Sequence, residues 1–332
     1  MRKIAVLGAG TWGIALAQAL ACDGHEVTVW SALPRELDVL RETSRHPNLP
    51  DVLLSDKLLY EQEIAVACRD KDLLLFAVPS VYVRATAELA KPYIKNGQLI
   101  ADAAKGIEKD TLMTMTEVIR DVLSDTAPGA RVVALSGPTH AEEVAAGLPT
   151  AIVSACEDVA AAGEVQDIFM SLQFRVYRNS DARGVELCGA LKNIIALAAG
   201  ISHGLGFGDN TRAAIITRGM AEICRLGVAM GCHTETFHGL AGIGDLVVTC
   251  TSAHSRNNTA GTLIGKGYSL EDAIKKVGMV VEGVNALPAA LDLARKYEVE
   301  LPIIGAVHAV LYGGVKPVDA VNALMGRARK AE

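Results

Sequence analysis

The sequence predicts an α/β N-terminal domain with a doubly wound, mostly parallel sheet over residues 1–180, followed by an all-α C-terminal domain over residues 181–332. Three observations lead there. Short, continuously apolar, β-rich runs alternate with helix-length stretches in the first half, which is the pattern of βαβ units. Those runs stop near residue 185, and Gly-punctuated Ala/Leu/Ile/Val segments of helical length then continue to residue 330. The chain has 332 residues, too many for one comfortable core, and at roughly 100–200 residues per domain the expectation is two.

Strands are predicted at residues 3–7, 26–30, 73–78, 99–101, 131–135, 151–153 and 175–177, with helices between most of them. Most are too short and too apolar for an exposed sheet and read as central strands covered on both faces. The first runs straight into Gly8-Ala9-Gly10-Thr11-Trp12-Gly13, and an Ala-rich helix follows to Asp23. Strand, G-x-G-x-x-G and helix in that order form the context of a dinucleotide-binding turn, so the first domain is expected to be a Rossmann domain. Gly8 would allow the tight turn, Gly10 the approach of a pyrophosphate and Gly13 close helix–strand packing, while the helix N-terminus offers free N–H groups to the anion. The second strand ends in Trp30-Ser31-Ala32-Leu33-Pro34-Arg35. An acid for a ribose 2′-hydroxyl, or an arginine for a 2′-phosphate, usually stands there. Neither is in place, although Arg35 could swing back, so NAD and NADP both stay open. No Pro/Ser-rich linker separates the halves; the junction at residues 179–183 is expected to be continuous and to form the crevice that holds the active site.

Composition narrows the function classes. Half the residues are hydrophobic and 21% are charged, which excludes a disordered chain. A net charge of −6, aromatics at 4% and no cluster of five Lys/Arg argue against nucleic acid as a partner. The seven cysteines are odd in number and contain no C-x-x-C pair, and the eight histidines lack metal-ligand spacing, so neither disulfides nor a metal is expected. Met1-Arg2-Lys3 and the apolar run after it imitate a signal peptide, but Gly8, Gly10, Trp12 and Gly13 interrupt it. No later stretch reaches the roughly 18 uninterrupted apolar residues of a membrane span. A cytoplasmic protein is expected, and a helical domain rich in small residues suits a homodimer.

Four polar groups stand out against this apolar background. Lys105, in Ala104-Lys105-Gly106-Ile107-Glu108, follows a strand, where α/β sheets place their ligands; in isolation it would pass for an ordinary surface lysine. Ser136-Gly137-Pro138-Thr139-His140-Ala141 ends another strand and could offer N–H groups to ligand oxygens, or simply cap a helix. Lys192 lies in Gly189-Ala190-Leu191-Lys192-Asn193-Ile194-Ile195-Ala196, apolar on several faces, where a snorkelling lysine fits poorly and a buried charge would be costly without purpose. With a carboxylate close by, such a lysine can give a proton to a carbonyl oxygen or take one from an alcohol. The densest polar stretch runs from Gly239 through Gly242, Gly244 and Asp245 to Thr249, Cys250, Ser255, Arg256 and Asn257. Ser255 could cap a helix whose first turn presents Arg256 and Asn257, so that a phosphate meets a guanidinium fork, an amide and free N–H groups together. A solvated loop with a cap is the plainer reading.

Through these residues the chain closely resembles the bacterial NAD(P)-dependent sn-glycerol-3-phosphate dehydrogenases, from the glycine turn through Lys105-Gly106-Ile107-Glu108 and Leu191-Lys192-Asn193 to the stretch from Gly239 to Asn257. The resemblance implies reversible conversion of dihydroxyacetone phosphate and sn-glycerol 3-phosphate, feeding phospholipid synthesis. It implies Lys192 as proton donor or acceptor, with Lys105 and Asp245 orienting the reacting oxygens and Lys192, and Asn193 and Thr249 in support. Ser255, Arg256 and Asn257 would hold the substrate, joined by Gly137 and Thr139. Gly8, Gly10, Thr11, Trp12, Gly13, Lys105, Ala141, Arg256, Val280 and Glu282 would line the NAD or NADP. The family commonly shows Arg at the position of Ala32 and often Phe at that of His140; the first departure weakens a preference for NADP. Two alternatives are another two-domain dehydrogenase acting on a hydroxy acid or sugar phosphate, and a dinucleotide sensor without activity, against which a lysine at 192 in an apolar helix argues.

Overall fold

The computed structural model describes residues 1–329. They form two compact units, one of Met1–Lys105 with Met113–Glu186, the other of Gly106–Leu112 with the chain from Leu187 onward.

The first unit is built on eight strands: β1 (Lys3–Leu7), β2 (Glu26–Trp30), β3 (Leu58–Glu61), β4 (Leu73–Phe76), β5 (Leu99–Asp102), β6 (Arg131–Ser136), β7 (Thr150–Ala155) and β8 (Phe174–Asn179). Between them lie α1 (Thr11–Cys22), α2 (Pro34–Thr43), α3 (Ile64–Cys68), α4 (Val83–Ala90), α5 (Met115–Leu123), α6 (Ala141–Ala145) and α7 (Val159–Phe169). The strand order is β3-β2-β1-β4-β5-β6-β7-β8, parallel except for the β6–β7 pair. The chain runs outward from β1 to β3, then returns to place β4 on the other side of β1. That reversal opens a crevice between β1 and β4 at their carboxyl ends, where doubly wound sheets bind ligands. Alternate residues of the central strands feed two cores. Ile4, Val6, Leu73 and Leu75 pack on one face, and Ala5, Leu7, Leu74 and Phe76 on the other.

The sheet departs from the sequence expectation in several places: β4 ends two residues early, at Phe76, and β6, β7 and β8 run longer than expected, over Arg131–Ser136, Thr150–Ala155 and Phe174–Asn179. β3 was not expected; Leu58-Leu59-Tyr60-Glu61 buries only its first residue fully and acquires strand geometry by pairing with β2 at the edge. β5 runs one residue further than residues 99–101, so that the acidic Asp102 closes a buried strand. Coverage on both faces holds for β1, β4 and β5, whereas β8 alternates buried and exposed residues at the other edge.

The second unit is helical: α8 (Ala182–Gly204), α9 (Asp209–Ala229), α10 (Thr234–Phe237), α11 (Asp245–Thr251), α12 (Arg256–Gly265), α13 (Leu270–Val277), α14 (Glu282–Lys296), α15 (Pro302–Tyr312) and α16 (Pro317–Met325). Its axis is α8, most of which, from Leu187 on, belongs to this unit. By length and composition this helix is apolar enough to cross a membrane, yet its most apolar window is completely buried inside the fold. Leu187, Leu191, Ile194, Ile195 and Leu197 are surrounded by residues from α9, α14 and α15. A helix apolar all round is what a core position requires.

Candidate active site

In the first unit the glycine turn closes the end of β1. Gly8 has φ +127°, and a Cβ there would lie 2.7 Å from the Ala77 carbonyl oxygen, so only glycine lets the turn lie against the chain leaving β4. A side chain at Gly13 would collide with the Gly8 carbonyl. Gly10 differs: it is exposed, and a Cβ added to it would meet nothing within 4 Å. It also stands at the start of α1, where no side chain caps the helix. The first intrahelical bond runs from Ile14 N to Gly10 O, leaving the N–H groups of Thr11, Trp12 and Gly13 without intrahelical acceptors. The indole Nε1 of Trp12 is buried with no hydrogen-bond partner among the described residues. An open glycine, uncapped donors and an orphaned indole N–H fit a hydrogen-bonding anion such as a dinucleotide pyrophosphate.

Further along the same sheet edge, Lys105 Nζ donates to the Gly137 carbonyl oxygen at 3.1 Å, and Thr139 Oγ1 donates to the same oxygen at 3.2 Å. These residues follow β5 and β6, and Ala141 opens α6 just beyond. Three sequence-predicted positions are thus joined through one carbonyl. At the end of β5, burial and then the charge of Glu186 push the Asp102 carboxyl well above the usual carboxylate range.

In the second unit a kinked turn, Leu240–Gly244, with Gly242 outside helical geometry (φ −91°, ψ −106°), leads into α11. Any side chain at Gly242 would collide with the Phe237 carbonyl, so the turn needs glycine there. The kink is followed directly by Asp245 in the first turn of α11, with Thr249 one turn later. Lys192 Nζ, from α8, donates to Asp245 Oδ1 at 2.6 Å and to Thr249 Oγ1 at 2.5 Å. Thr249 Oγ1 in turn donates to the Asp245 carbonyl at 2.6 Å. Lys192 is 5% exposed and Asp245 is 1% exposed, a paired ammonium and carboxylate held out of bulk water. Burial pushes the neighbouring Cys250 thiol up to about 12, so it remains protonated beside them.

A second network continues from the next residue. Asn257 Nδ2, on α12, donates to Asn193 Oδ1 at 3.0 Å, and Asn257 Oδ1 accepts from Gly283 N at 2.9 Å. Ser255 caps α12 through Asn258 N at 3.2 Å, while Arg256, exposed, donates to the Val280 carbonyl at 3.3 Å. Glu282 starts α14 immediately after. Asn257 therefore has internal partners that sequence reading had not given it, and Arg256 is the member of the trio that extends outward. Sequence reading also passed over Asn48, whose Nδ2 donates to Thr11 Oγ1 at 3.0 Å, and Gly283. Neither belongs to a motif; each reaches the site only by tertiary folding.

Chemically, the lysine–aspartate pair can move a proton to or from an oxygen, the exposed guanidinium suits an anion, and the glycine turn suits a nucleotide. The matching family models and the relatives of high identity name one family. The N-terminal model described as NAD-dependent glycerol-3-phosphate dehydrogenase N-terminus matches residues 3–162, and its C-terminal counterpart matches residues 181–322. The chain is 62% identical to a glycerol-3-phosphate dehydrogenase [NAD(P)+] of Lactobacillus delbrueckii subsp. bulgaricus, over 100% of this chain and 99% of the relative. It is 47% identical to the Bacillus subtilis protein of the same name, over 100% and 96%. A solved glycerol-3-phosphate dehydrogenase from Coxiella burnetii superposes with a TM-score of 0.92 at 36% identity, covering 98% of this chain and 99% of that one.

Proposed function

The chain belongs to the NAD-dependent glycerol-3-phosphate dehydrogenase family, and from that premise we propose that it interconverts dihydroxyacetone phosphate and sn-glycerol 3-phosphate with NAD(H) or NADP(H). The observation that carries this reading in the chain's own chemistry is the buried Lys192–Asp245–Thr249 centre. A bound nicotinamide supplies or accepts the hydride at the substrate's C2. Lys192 Nζ then gives its proton to the oxygen that gains negative charge, and in the opposite direction takes the proton of the alcohol. Asp245 and Thr249 fix Nζ in place, so little reorganisation is needed when charge develops on the substrate.

The remaining assignments follow the same reading. Residues 1–180 act as the dinucleotide-binding domain and residues 181–332 as the substrate-binding and catalytic domain. Gly8, Gly10, Thr11, Trp12 and Gly13 hold the pyrophosphate, with Ala141, Val280 and Glu282 as further cofactor contacts. Arg256 takes the substrate phosphate with Ser255 beside it, Asn193 and Asn257 order that helix end, and Lys105, Gly137 and Thr139 orient substrate oxygens. The product supplies the glycerol backbone of phospholipids from the cytoplasm, and the enzyme works as a homodimer; light scattering on the purified protein tests the last point. The reaction itself is tested by following NADH and NADPH absorbance with dihydroxyacetone phosphate and, in parallel, unphosphorylated dihydroxyacetone. Turnover with the phosphorylated ketone alone is expected; no turnover with it, or equal turnover with both, contradicts the proposal.

A further inference from the structure

The ribose end of the dinucleotide site has an acceptor that the sequence order conceals. The Trp30 carbonyl at the end of β2 accepts from Gly8 N at 2.9 Å, so residue 31 stands beside the glycine turn. Ser31 occupies that place and is buried. Its Oγ donates to Glu36 Oε2 at 2.6 Å and accepts from Leu33 N at 3.1 Å. Glu36 comes from the first turn of α2, which Pro34 initiates, and Glu36 N donates to the Leu33 carbonyl at 3.1 Å. The chain thereby folds a carboxylate back over the strand end, where doubly wound domains that take NAD usually carry an acid directly. Ser31 occupies one carboxylate oxygen; the other, Oε1, has no partner among the described residues. The rim adjoins the glycine turn through His46, a buried ring on which the charge of Glu36 and the backbone of Ala9 both act.

Resting on the dinucleotide reading above, we propose that Glu36, held by Ser31, accepts a hydrogen bond from the adenosine ribose 2′-hydroxyl and makes this chain selective for NAD(H) over NADP(H). A carboxylate accepts from a hydroxyl, but a 2′-phosphate brings it no donor and adds like-charge repulsion. Ala32, next in sequence, offers only a methyl group. Arg35 is the competing residue, a guanidinium that could pair with a 2′-phosphate; it is exposed, with no hydrogen bond or ion pair among the described residues, and would have to be drawn back from solvent. Glu36 is already fixed at the strand end.

Equilibrium binding of NADH and NADPH, read by nucleotide fluorescence without substrate, tests this on the wild-type chain, Glu36→Gln, Arg35→Ala and Ala32→Arg. The wild type is expected to bind NADH at least about tenfold more tightly than NADPH. Glu36→Gln should bring the two affinities within about threefold, mainly by improving NADPH. Ala32→Arg should also improve NADPH, and Arg35→Ala should leave the ratio unchanged. Equal or tighter NADPH binding by the wild type, a ratio indifferent to Glu36→Gln, or loss of NADPH binding in Arg35→Ala would overturn the selectivity claim. Binding of neither nucleotide would instead overturn the dinucleotide reading on which it rests.

Discussion

Lys192 carries its charge among apolar neighbours because Asp245 and Thr249 replace the water it gives up. Taking an ammonium into such a place without a partner costs several kcal/mol. Asp245→Asn removes the negative charge and keeps the shape, so it should lower unfolding free energy by about 3 kcal/mol in urea titrations and reduce kcat as well. Arg256→Ala should act on the other side of the kinetics. An exposed guanidinium that grips a phosphate contributes to binding, and its loss should raise KM for dihydroxyacetone phosphate by about tenfold or more with a smaller change in kcat. An unchanged KM would remove Arg256 from the phosphate site. Lys192, Asp245, Thr249, Ser255 and Arg256 were legible as residues because a lone lysine in an apolar run and a polar stretch in an apolar domain both violate patterning. The bond between Asn257 and Asn193 was not legible, since 64 positions separate them and only the crossing of their helices brings them together.

That crossing is set by glycine. Gly200 and Gly204 of α8 face Gly261 and Gly265 of α12, and a Cβ at any of the four would run into the backbone of the opposite helix. Small residues four apart on both helices let the backbones touch, which fixes Asn257 against Asn193 and the start of α12 against the lysine centre. Gly200→Ala or Gly261→Ala should therefore cost about 1–3 kcal/mol by overpacking, measured by denaturant unfolding, although alanine is otherwise the better helix former. A second device holds α15. Glu222 of α9 accepts from Ile303 N at 2.7 Å and Ile304 N at 3.3 Å in its first turn. Burial, against these two bonds, raises its carboxyl from 4.5 to about 7. Because the folded state holds this proton more tightly than the unfolded chain, the contribution is fully present below pH 4.5 and is lost as pH rises through 7. Relative to wild type, Glu222→Gln should flatten stability across that window, by at most about 1.4 kcal/mol per pH unit; parallel melting curves from pH 4.5 to 7 check it.

At the scale of the whole chain, two kinds of periodicity made the architecture readable: short apolar runs for a sheet covered on both faces and long apolar stretches for helices around a buried axis. What escaped was whatever depended on position in the sheet rather than on local pattern. β3 is an edge strand with one fully buried residue, and its pairing with β2 is the main reason it is a strand. Glu36 escaped for a related reason, since an acid expected at the end of β2 arrives from the next helix. The glycine turn and the helical unit each make sense alone, but turnover depends on one group, the buried ammonium, performing proton transfer. The most direct measurement is NADH oxidation by Lys192→Ala with dihydroxyacetone phosphate, alongside NADH binding to the same protein. A fall in kcat of at least about 100-fold with NADH affinity retained is expected; turnover near the wild-type rate would contradict proton transfer by Lys192.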